Sequence, residues 1–445
     1  MMWKQTKIID RAILLIATLS LIFSPWAYGT VEPWSLLIFE SGAAIILFLW
    51  GMQLTIEDTD KFIPPFAAII AIGFLLLILI QLLPGLGTGS NATISLAPQA
   101  TWLSLLKTSA LVIYFCALIQ IASQPHSRTV LIYTIVVVGL ALSVFAIVQY
   151  ATWNGRVYWW HELNNSAECF GPFINRNHFA GYVAMTLSLS LGMLIYNRGN
   201  YQERFFFALA SAVMALAIVL SHSRGGLVSA LAGVLSLSVL CFRLHINSDA
   251  NTERVSYLRN RLVSGSSLSI ALVFIIALVL LIAPGQTGLA ALIDMKAGIS
   301  SINDRWAIWR DAWTLFQQHP LLGVGLGAYP YVSTMTVDKQ LATHLGVHQT
   351  HNDYLQTLTD TGIVGGIFAI LFLSSIFIAV RKNLRSVRVQ EKAIILGAGS
   401  GIIALLVHSS VDFNLQLASN ALLFLALTAL AIQPSDAQMP GGKME

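Results

Sequence analysis

Two arginines in this sequence stand where they could bind an anion. Arg224 precedes Gly225 and Gly226 at the start of a long apolar segment, and Arg176 leads into another apolar segment together with His178. If these segments are helices, their first N–H groups lack partners within the helix and carry partial positive charge. A guanidinium adds a full charge, and glycines let a ligand approach the backbone. The pattern predicts anion-binding sites at both segment starts.

A third arginine begins an amphipathic pattern. At about 100° per residue, Trp306, Trp309 and Trp313 fall within about 60° of one another, with Arg305 at the edge of this stripe. Aromatic stripes of this kind are typical of helices that lie at the headgroup level of a membrane. From the stripe's edge, Arg305 can reach into a cavity at membrane level. Arg310, on the same helix, is a possible supporting residue.

Three histidines, His344, His348 and His351, are spaced so that they would share one face of a helix. One interpretation is a metal site, although the neighbouring carboxylate of Asp353 is poorly placed to complete it. The other is that one histidine is a general base, because imidazole titrates near working pH and can take a proton from a sugar hydroxyl. His351 is the best placed, at the mouth of an apolar segment. The role of His348 stays open.

Two further motifs are interpreted structurally. Gly323, Gly325 and Gly327 form a G-x-G-x-G run that follows no strand, so it is not a nucleotide fingerprint. We expect a tight loop that packs against the rest of the protein. Asp412 lies in a short turn between two apolar segments and is interpreted as a helix N-cap.

Several arginines with one base, and without an obvious metal cluster, suit a substrate that carries phosphate. The arginine fork binds phosphate oxygens bidentately. It can also hold a leaving diphosphate without a divalent ion, by stabilising the charge that develops.

Composition identifies the elements that must position these residues. Of the 445 residues, 56% are hydrophobic and only 10% are charged, against about 25% charged in a soluble domain. A membrane helix needs about 20 mostly apolar residues. The predicted fold is a single all-α integral membrane domain over residues 1–445. Its twelve expected spans are 12–28, 34–54, 64–83, 101–122, 129–150, 178–196, 205–221, 225–242, 266–284, 353–380, 391–410 and 414–432.

The basic residues orient this bundle. With the N-terminus inside, most of the 25 Lys and Arg residues fall in inside segments, for example Arg381, Lys382 and Arg385. Both termini are then cytoplasmic, and the candidate site residues share the outer face. The longest outer loop, 285–352, lies between spans nine and ten and contains amphipathic helices. The net charge of +4, with no basic stretch interleaved with aromatic residues, excludes a nucleic-acid binder.

Over about residues 170–430 the sequence resembles the bacterial O-antigen ligase and O-antigen polymerase superfamily of membrane glycosyltransferases. The strongest match is His351-Asn352, followed after nine residues by Gly362 and after two more by Gly365. The steps around Arg224 and Arg176, and the Arg305 helix before the glycine run, are also similar to the family.

This resemblance implies a GT-C-like bundle of twelve spans in the bacterial inner membrane, with the large periplasmic loop between spans nine and ten. It implies inverting transfer of a glycan from undecaprenyl diphosphate at the periplasmic face, without metal or cofactor. His351 would be the base, Arg224 and Arg305 would bind the lipid diphosphate, and Arg176 would assist. The possible supporting residues are His348, His178, Asn352 and Arg310.

The acceptor stays open at this point. It is lipid A-core in a ligase and a lipid-linked repeat unit in a polymerase, whereas a protein acceptor is less favoured. A transporter for an anion or a lipid is the main alternative from another class, but it would place ionisable groups near mid-membrane. A scaffold without chemistry would tolerate loss of His351.

Overall fold

The computed structural model describes residues 2–56, 65–87, 92–162, 169–196, 201–246, 295–336, 349–387 and 389–434. Within these ranges the chain is helical, and its β pairing is confined to two isolated bridges. The helices are α1 Met2–Trp26, α2 Pro33–Ile56, α3 Phe66–Leu82, α4 Pro98–Ser123, α5 Pro125–Ala151, α6 Arg176–Tyr196, α7 Tyr201–Leu220, α8 Arg224–Ile246, α9 Met295–Gln318, α10 Tyr329–Thr336, α11 Asp353–Ser386, α12 Val389–His408 and α13 Ala418–Ile432.

Many of these helices are long and apolar enough to cross a membrane. Among the described residues, nine meet both criteria, and α3 and α13 are shorter apolar helices. The protein is therefore a multi-pass membrane protein, as predicted. The ninth expected span, 266–284, lies outside the described residues, as do residues 285–294 and 337–348 of the predicted loop 285–352. The count of twelve spans and the position of the long loop stay predictions.

Helix α6 forms the centre of the bundle and packs closely against α8 and α12. Small residues allow this approach: a Cβ atom added at Gly192 would lie 2.6 Å from the Cα atom of Gly397. Close backbone contact through glycine is a common way for membrane helices to associate. As a result, the first turns of α6 and α8 lie at the same end of the bundle as the last turn of α12.

A buried ion pair joins helices at the opposite end. Arg128, 2% exposed, lies 2.8 Å from the carboxylate of Glu391. Its guanidinium also donates hydrogen bonds to the carbonyls of Ala122, Leu430 and Gln433 at the C-terminal ends of α4 and α13. Because helix C-termini carry partial negative charge, one arginine here satisfies a carboxylate and two helix ends.

Helix α11 is broken at Gly362, where φ is 65° and ψ is −167°. The break frees the N–H groups of Ile363 and Val364, which donate instead to the carbonyls of Pro320 and Leu321 at 2.8 and 3.2 Å. A Cβ atom at Gly362 would lie 2.3 Å from the carbonyl carbon of Leu321. Only glycine combines this positive φ with so close an approach.

The glycine run follows directly and packs as expected. Its backbone donates from Val324 to the carbonyl of Thr359 and from Gly325 to the carbonyl of Asp360, both at 3.0 Å. The buried carboxylate of Asp360 in turn accepts from the N–H groups of Gly327 and Tyr329. The prediction of a tight loop against the bundle is confirmed: the loop runs from α9 to α10 and is hydrogen-bonded to α11.

Candidate functional site

The candidate site is centred on Asp412, in the turn between α12 and α13. Its Oδ1 atom lies 3.5 Å from Nδ1 of His351 and 3.7 Å from Nε2 of His178. Its Oδ2 atom lies 3.8 Å from Nε2 of His408. These residues begin α6, precede α11 and end α12, so one carboxylate gathers imidazoles from three separate parts of the chain.

Phe413 fixes two of these rings by edge contacts. Its ring centroid lies 4.6 Å from that of His178 and 4.9 Å from that of His351, with interplanar angles of 74° and 72°. The side chains of His178 and His408 are buried, whereas that of His351 is 31% exposed. Among the histidines that contact Asp412, His351 is the one a substrate can reach.

The backbone presents His351 in an unusual conformation. Its φ is 51°, in the left-handed region that residues other than glycine seldom adopt. Thr350 and Asn352 hold it there, because the Thr350 hydroxyl donates to the Asn352 carbonyl at 2.8 Å. The Asn352 side chain caps α11 by accepting from the N–H groups of Tyr354 and Leu355. Non-glycine residues kept in sparsely populated conformations are concentrated at functional sites.

Asp353 attaches the start of α11 to the turn that carries Asp412. Its carboxylate accepts from the Ser409 hydroxyl at 2.8 Å and from the Leu415 N–H at 3.1 Å, and its own N–H donates to the Ser409 carbonyl. Lys107 donates to the Gln416 carbonyl in the same turn. This bonding directs the Asp353 carboxylate towards Ser409 and Leu415.

Arg224 is the first residue of α8, next to the Asp412 cluster. A Cβ atom at the neighbouring Gly225 would lie 3.0 Å from Nε2 of His408. Ser223 caps the helix by accepting from the Gly226 N–H, and its hydroxyl donates to Asn177 in the first turn of α6. The N-termini of α6 and α8 are therefore linked side by side, and Arg224 is exposed above them.

Arg176 and Arg305 add positive charge to the same region. Arg176 is the first residue of α6. The pKa of His222 is lowered by the burial of its own imidazole and, to a smaller extent, by the positive charge of Arg176. Arg305 lies close enough for its charge to act on His408. His178 and His351 thus meet at Asp412, with Arg176 and Arg224 at the adjacent helix starts. That these residues and Arg305 act as one site stays a prediction. Arg310 lines a neighbouring cleft beside the tryptophans instead.

The predicted role of Asp412 as a helix N-cap is wrong. The short 3-10 helix after it, Asn414–Gln416, has Phe413 at its N-cap and no side-chain cap bond. Burial raises the pKa of Asp412, but interactions with His178, His351 and His408 outweigh it and bring that pKa well below its usual value. The carboxylate therefore stays ionised. Sequence reasoning missed this role and also missed His408, although the spacing His408-x3-Asp412 at the end of an apolar segment was a usable signal.

Of the three histidines of the predicted metal site, only His351 belongs to the described residues; His344 and His348 lie outside them. The alternative that this triplet binds a metal therefore stays a prediction. Within the described ranges, no group of three or more His, Cys, Asp or Glu side chains has an arrangement suited to a metal ion. The geometry there offers a partly exposed base, a carboxylate behind it, and two helix N-termini with arginines beside it. Such a set can accept a proton and stabilise an anion.

Comparison with protein families gives a match over part of the chain. Residues 209–370 match the O-antigen ligase family. The matched segment includes Arg224, Arg305, His351 and the break at Gly362, and the resemblance predicted from the motifs is confirmed. None of the curated proteins matches the chain.

Proposed function

We propose that this chain, whose residues 209–370 match the O-antigen ligase family, is an inverting, metal-independent glycosyltransferase of the ligase type. It moves a glycan from undecaprenyl diphosphate to a hydroxyl of lipid A-core, at the periplasmic face of the bacterial inner membrane. The observation that carries the proposal is the position of His351, backed by the Asp412 carboxylate at 3.5 Å and adjacent to the arginine-bearing helix starts.

In the proposed reaction, His351 removes the proton of the acceptor hydroxyl as its oxygen attacks the anomeric carbon of the donor sugar. The bond from that carbon to the diphosphate oxygen breaks, and the electron pair leaves with undecaprenyl diphosphate. Attack and departure occur on opposite faces, so the configuration inverts. Asp412 does not touch the substrate; it orients the imidazole and stabilises the imidazolium that forms.

The leaving diphosphate is held by Arg224 and Arg305, with Arg176 assisting. The N-terminal N–H groups of α6 and α8 supply further positive potential at the same place. Guanidinium groups that are already positioned stabilise developing charge without reorganising during the reaction. This arrangement accounts for chemistry without a divalent ion.

The lipid tail of the donor fits the exposed flank of α11. Ile363, Ile367 and Ile370 are each 45% or more exposed along this helix, which begins two residues after the proposed base. A polyprenyl chain lying against such a flank would keep its diphosphate at the end of the bundle where the arginines lie.

A polymerase that joins lipid-linked repeat units is the second candidate, because it would use the same base and the same diphosphate site. Anion or lipid transport is less well supported, since the site lies at one end of the bundle.

The test is a product gel from the purified full-length protein given lipid-linked repeat units, with and without lipid A-core, in EDTA. Transfer that requires lipid A-core supports the ligase. A ladder that grows on the polyprenyl carrier without lipid A-core would identify the polymerase instead. No transfer under either condition, or transfer abolished by EDTA, would refute the metal-independent mechanism.

A further inference from the structure

A cleft of about 650 Å³ lies along α9, next to the proposed base. Its volume is within the range of small-molecule sites. The residues that line it are Trp306, Ala307, Trp309, Arg310, Trp313 and Leu355. The proposed mechanism uses none of them.

A hydrogen bond connects this cleft to the base. The indole Nε1 of Trp309 donates to the carbonyl of Thr350 at 3.0 Å, and Thr350 immediately precedes His351. Leu355, which also lines the cleft, lies in the first turn of α11. A molecule in the cleft is therefore positioned against the segment that carries the base.

Trp306 and Trp313 do not belong to the core, whereas Trp309 packs against it. The core side of α9 is formed by Ile308, Ala312 and Leu315, which are buried in a cluster with the loop and α10. Trp306 and Trp313 are 61% and 47% exposed. The rings of Trp306 and Trp309 meet at 5.4 Å and 68°, which leaves a concave corner of indole surface.

This wall fits a sugar better than a lipid tail. The face of an indole ring is electron-rich, so it attracts the polarised C–H groups on the face of a pyranose. The Arg310 guanidinium at the rim can donate to hydroxyl or acidic substituents, which a polyprenyl chain lacks. The flank of α11, in contrast, presents isoleucines, which suit hydrocarbon.

Resting on the function proposed above, we infer that this aromatic cleft, defined by Trp306, Trp309, Trp313 and Arg310, binds the pyranose units of the acceptor glycan. It holds their hydroxyl group towards His351, while the donor diphosphate lies at the starts of α6 and α8. Donor and acceptor thus approach the base from different sides.

The test separates acceptor binding from donor binding in the full-length protein. Replacing Trp306 and Trp313 together by Leu keeps the wall apolar but removes the flat faces. We expect the KM for the acceptor to rise about tenfold or more, because each aromatic contact is worth about 1 kcal/mol. The KM for the donor should stay within about twofold of the wild-type value. A double variant with Trp306→Phe in place of Trp306→Leu should recover part of the lost acceptor affinity.

Trp34→Leu is the matched control, since Trp34 is 48% exposed in the first turn of α2, outside the cleft. It should leave both KM values unchanged. Calorimetric titration with the delipidated acceptor oligosaccharide, without donor, gives a second measurement that does not depend on turnover. The expected result is saturable binding that weakens in the double variant.

Two results would overturn the inference. One is an unchanged acceptor KM in the double variant together with equal binding of the oligosaccharide. The other is a change confined to the donor KM that depends on polyprenyl length, which would identify a lipid-tail site. His351→Ala in the same assay keeps the two proposals apart: its full activity would refute the mechanism, whereas its inactivity beside a normal Trp306/Trp313 variant would refute only the cleft.

Discussion

The Nδ1 atom of His351 faces Oδ1 of Asp412 at 3.5 Å, although 60 residues of sequence separate them. A carboxylate on one ring nitrogen determines which tautomer and orientation the imidazole adopts, and leaves the other nitrogen for the substrate. This relationship supports the proposed role of His351 as a general base, and it leads directly to the first two predictions.

Replacement of His351 by Ala should remove turnover and retain donor binding. General-base catalysis contributes about 10² to 10⁴-fold, so we expect kcat to fall by at least 10²-fold. The measurement is single-turnover transfer from the lipid-linked glycan, with donor binding assayed in parallel. Normal transfer by this variant would exclude His351 as the base.

Replacement of Asp412 by Asn should change the pH dependence of stability in a defined direction. The pKa of Asp412 is well below the usual 3.8 in the folded protein, so its charge stabilises the fold above that value and loses effect as pH falls through the folded-state pKa. The stabilisation of wild type relative to Asp412→Asn, measured as the difference in Tm, should shrink as the pH falls below about 4. A difference that already vanishes near neutral pH would show that the carboxylate is protonated there.

Loss of Arg224 or Arg305 should weaken donor binding more than it slows the bound complex. A charge-assisted pair with a phosphate is worth about 1.5–3 kcal/mol, so we expect a rise of about tenfold to 10²-fold in donor KM for each Ala variant. Arg243→Ala is the control, because Arg243 lies at the other end of the same span. Equal effects of Arg224→Ala and Arg243→Ala would argue against a specific diphosphate site.

Gly362→Ala should destabilise the docking of the glycine loop on α11. Alanine at this φ and ψ, a region essentially restricted to glycine, costs about 1–3 kcal/mol, and its Cβ would lie 2.3 Å from the Leu321 carbonyl carbon. We expect faster proteolysis in the loop and reduced transfer. Gly399→Ala provides the contrast: nothing lies within 4 Å of its added Cβ, and alanine is favoured by about 1 kcal/mol in a helix interior. Identical behaviour of the two variants would contradict the role of the break.

Arg128→Ala should lower the free energy of unfolding by about 3–5 kcal/mol, because it leaves a buried carboxylate unpaired and releases three helix-end carbonyls. The pair lies at the end of the bundle away from the site, so the fraction that remains folded should keep its kcat. Thermal unfolding and active-site titration measure the two quantities. Exposed Arg385→Ala is the control and should change stability by less than about 0.5 kcal/mol.

The membrane spans could be predicted from the sequence because their cause is local. The thickness of the hydrocarbon layer demands about 20 apolar residues in each helix, whatever the neighbours. Eleven of the expected spans overlap described helices, most of them to within a few residues at each end, and the tight glycine loop was also anticipated. Arginines at helix starts could likewise be identified, since the anion-binding property belongs to the helix end itself.

The centre of the site could not be predicted in this way. Asp412 has the same local sequence whether it caps a helix or faces three imidazoles, and only the packing of α6, α8, α11 and α12 determines which occurs. Gly362 belonged to a recognised motif, yet its function depends on carbonyls of Pro320 and Leu321 that lie about 40 residues earlier in the chain. Local sequence determined which segments become helices, because hydrophobicity and backbone preference act over a few residues. Tertiary structure decided which side chains meet, because those contacts depend on how distant helices pack.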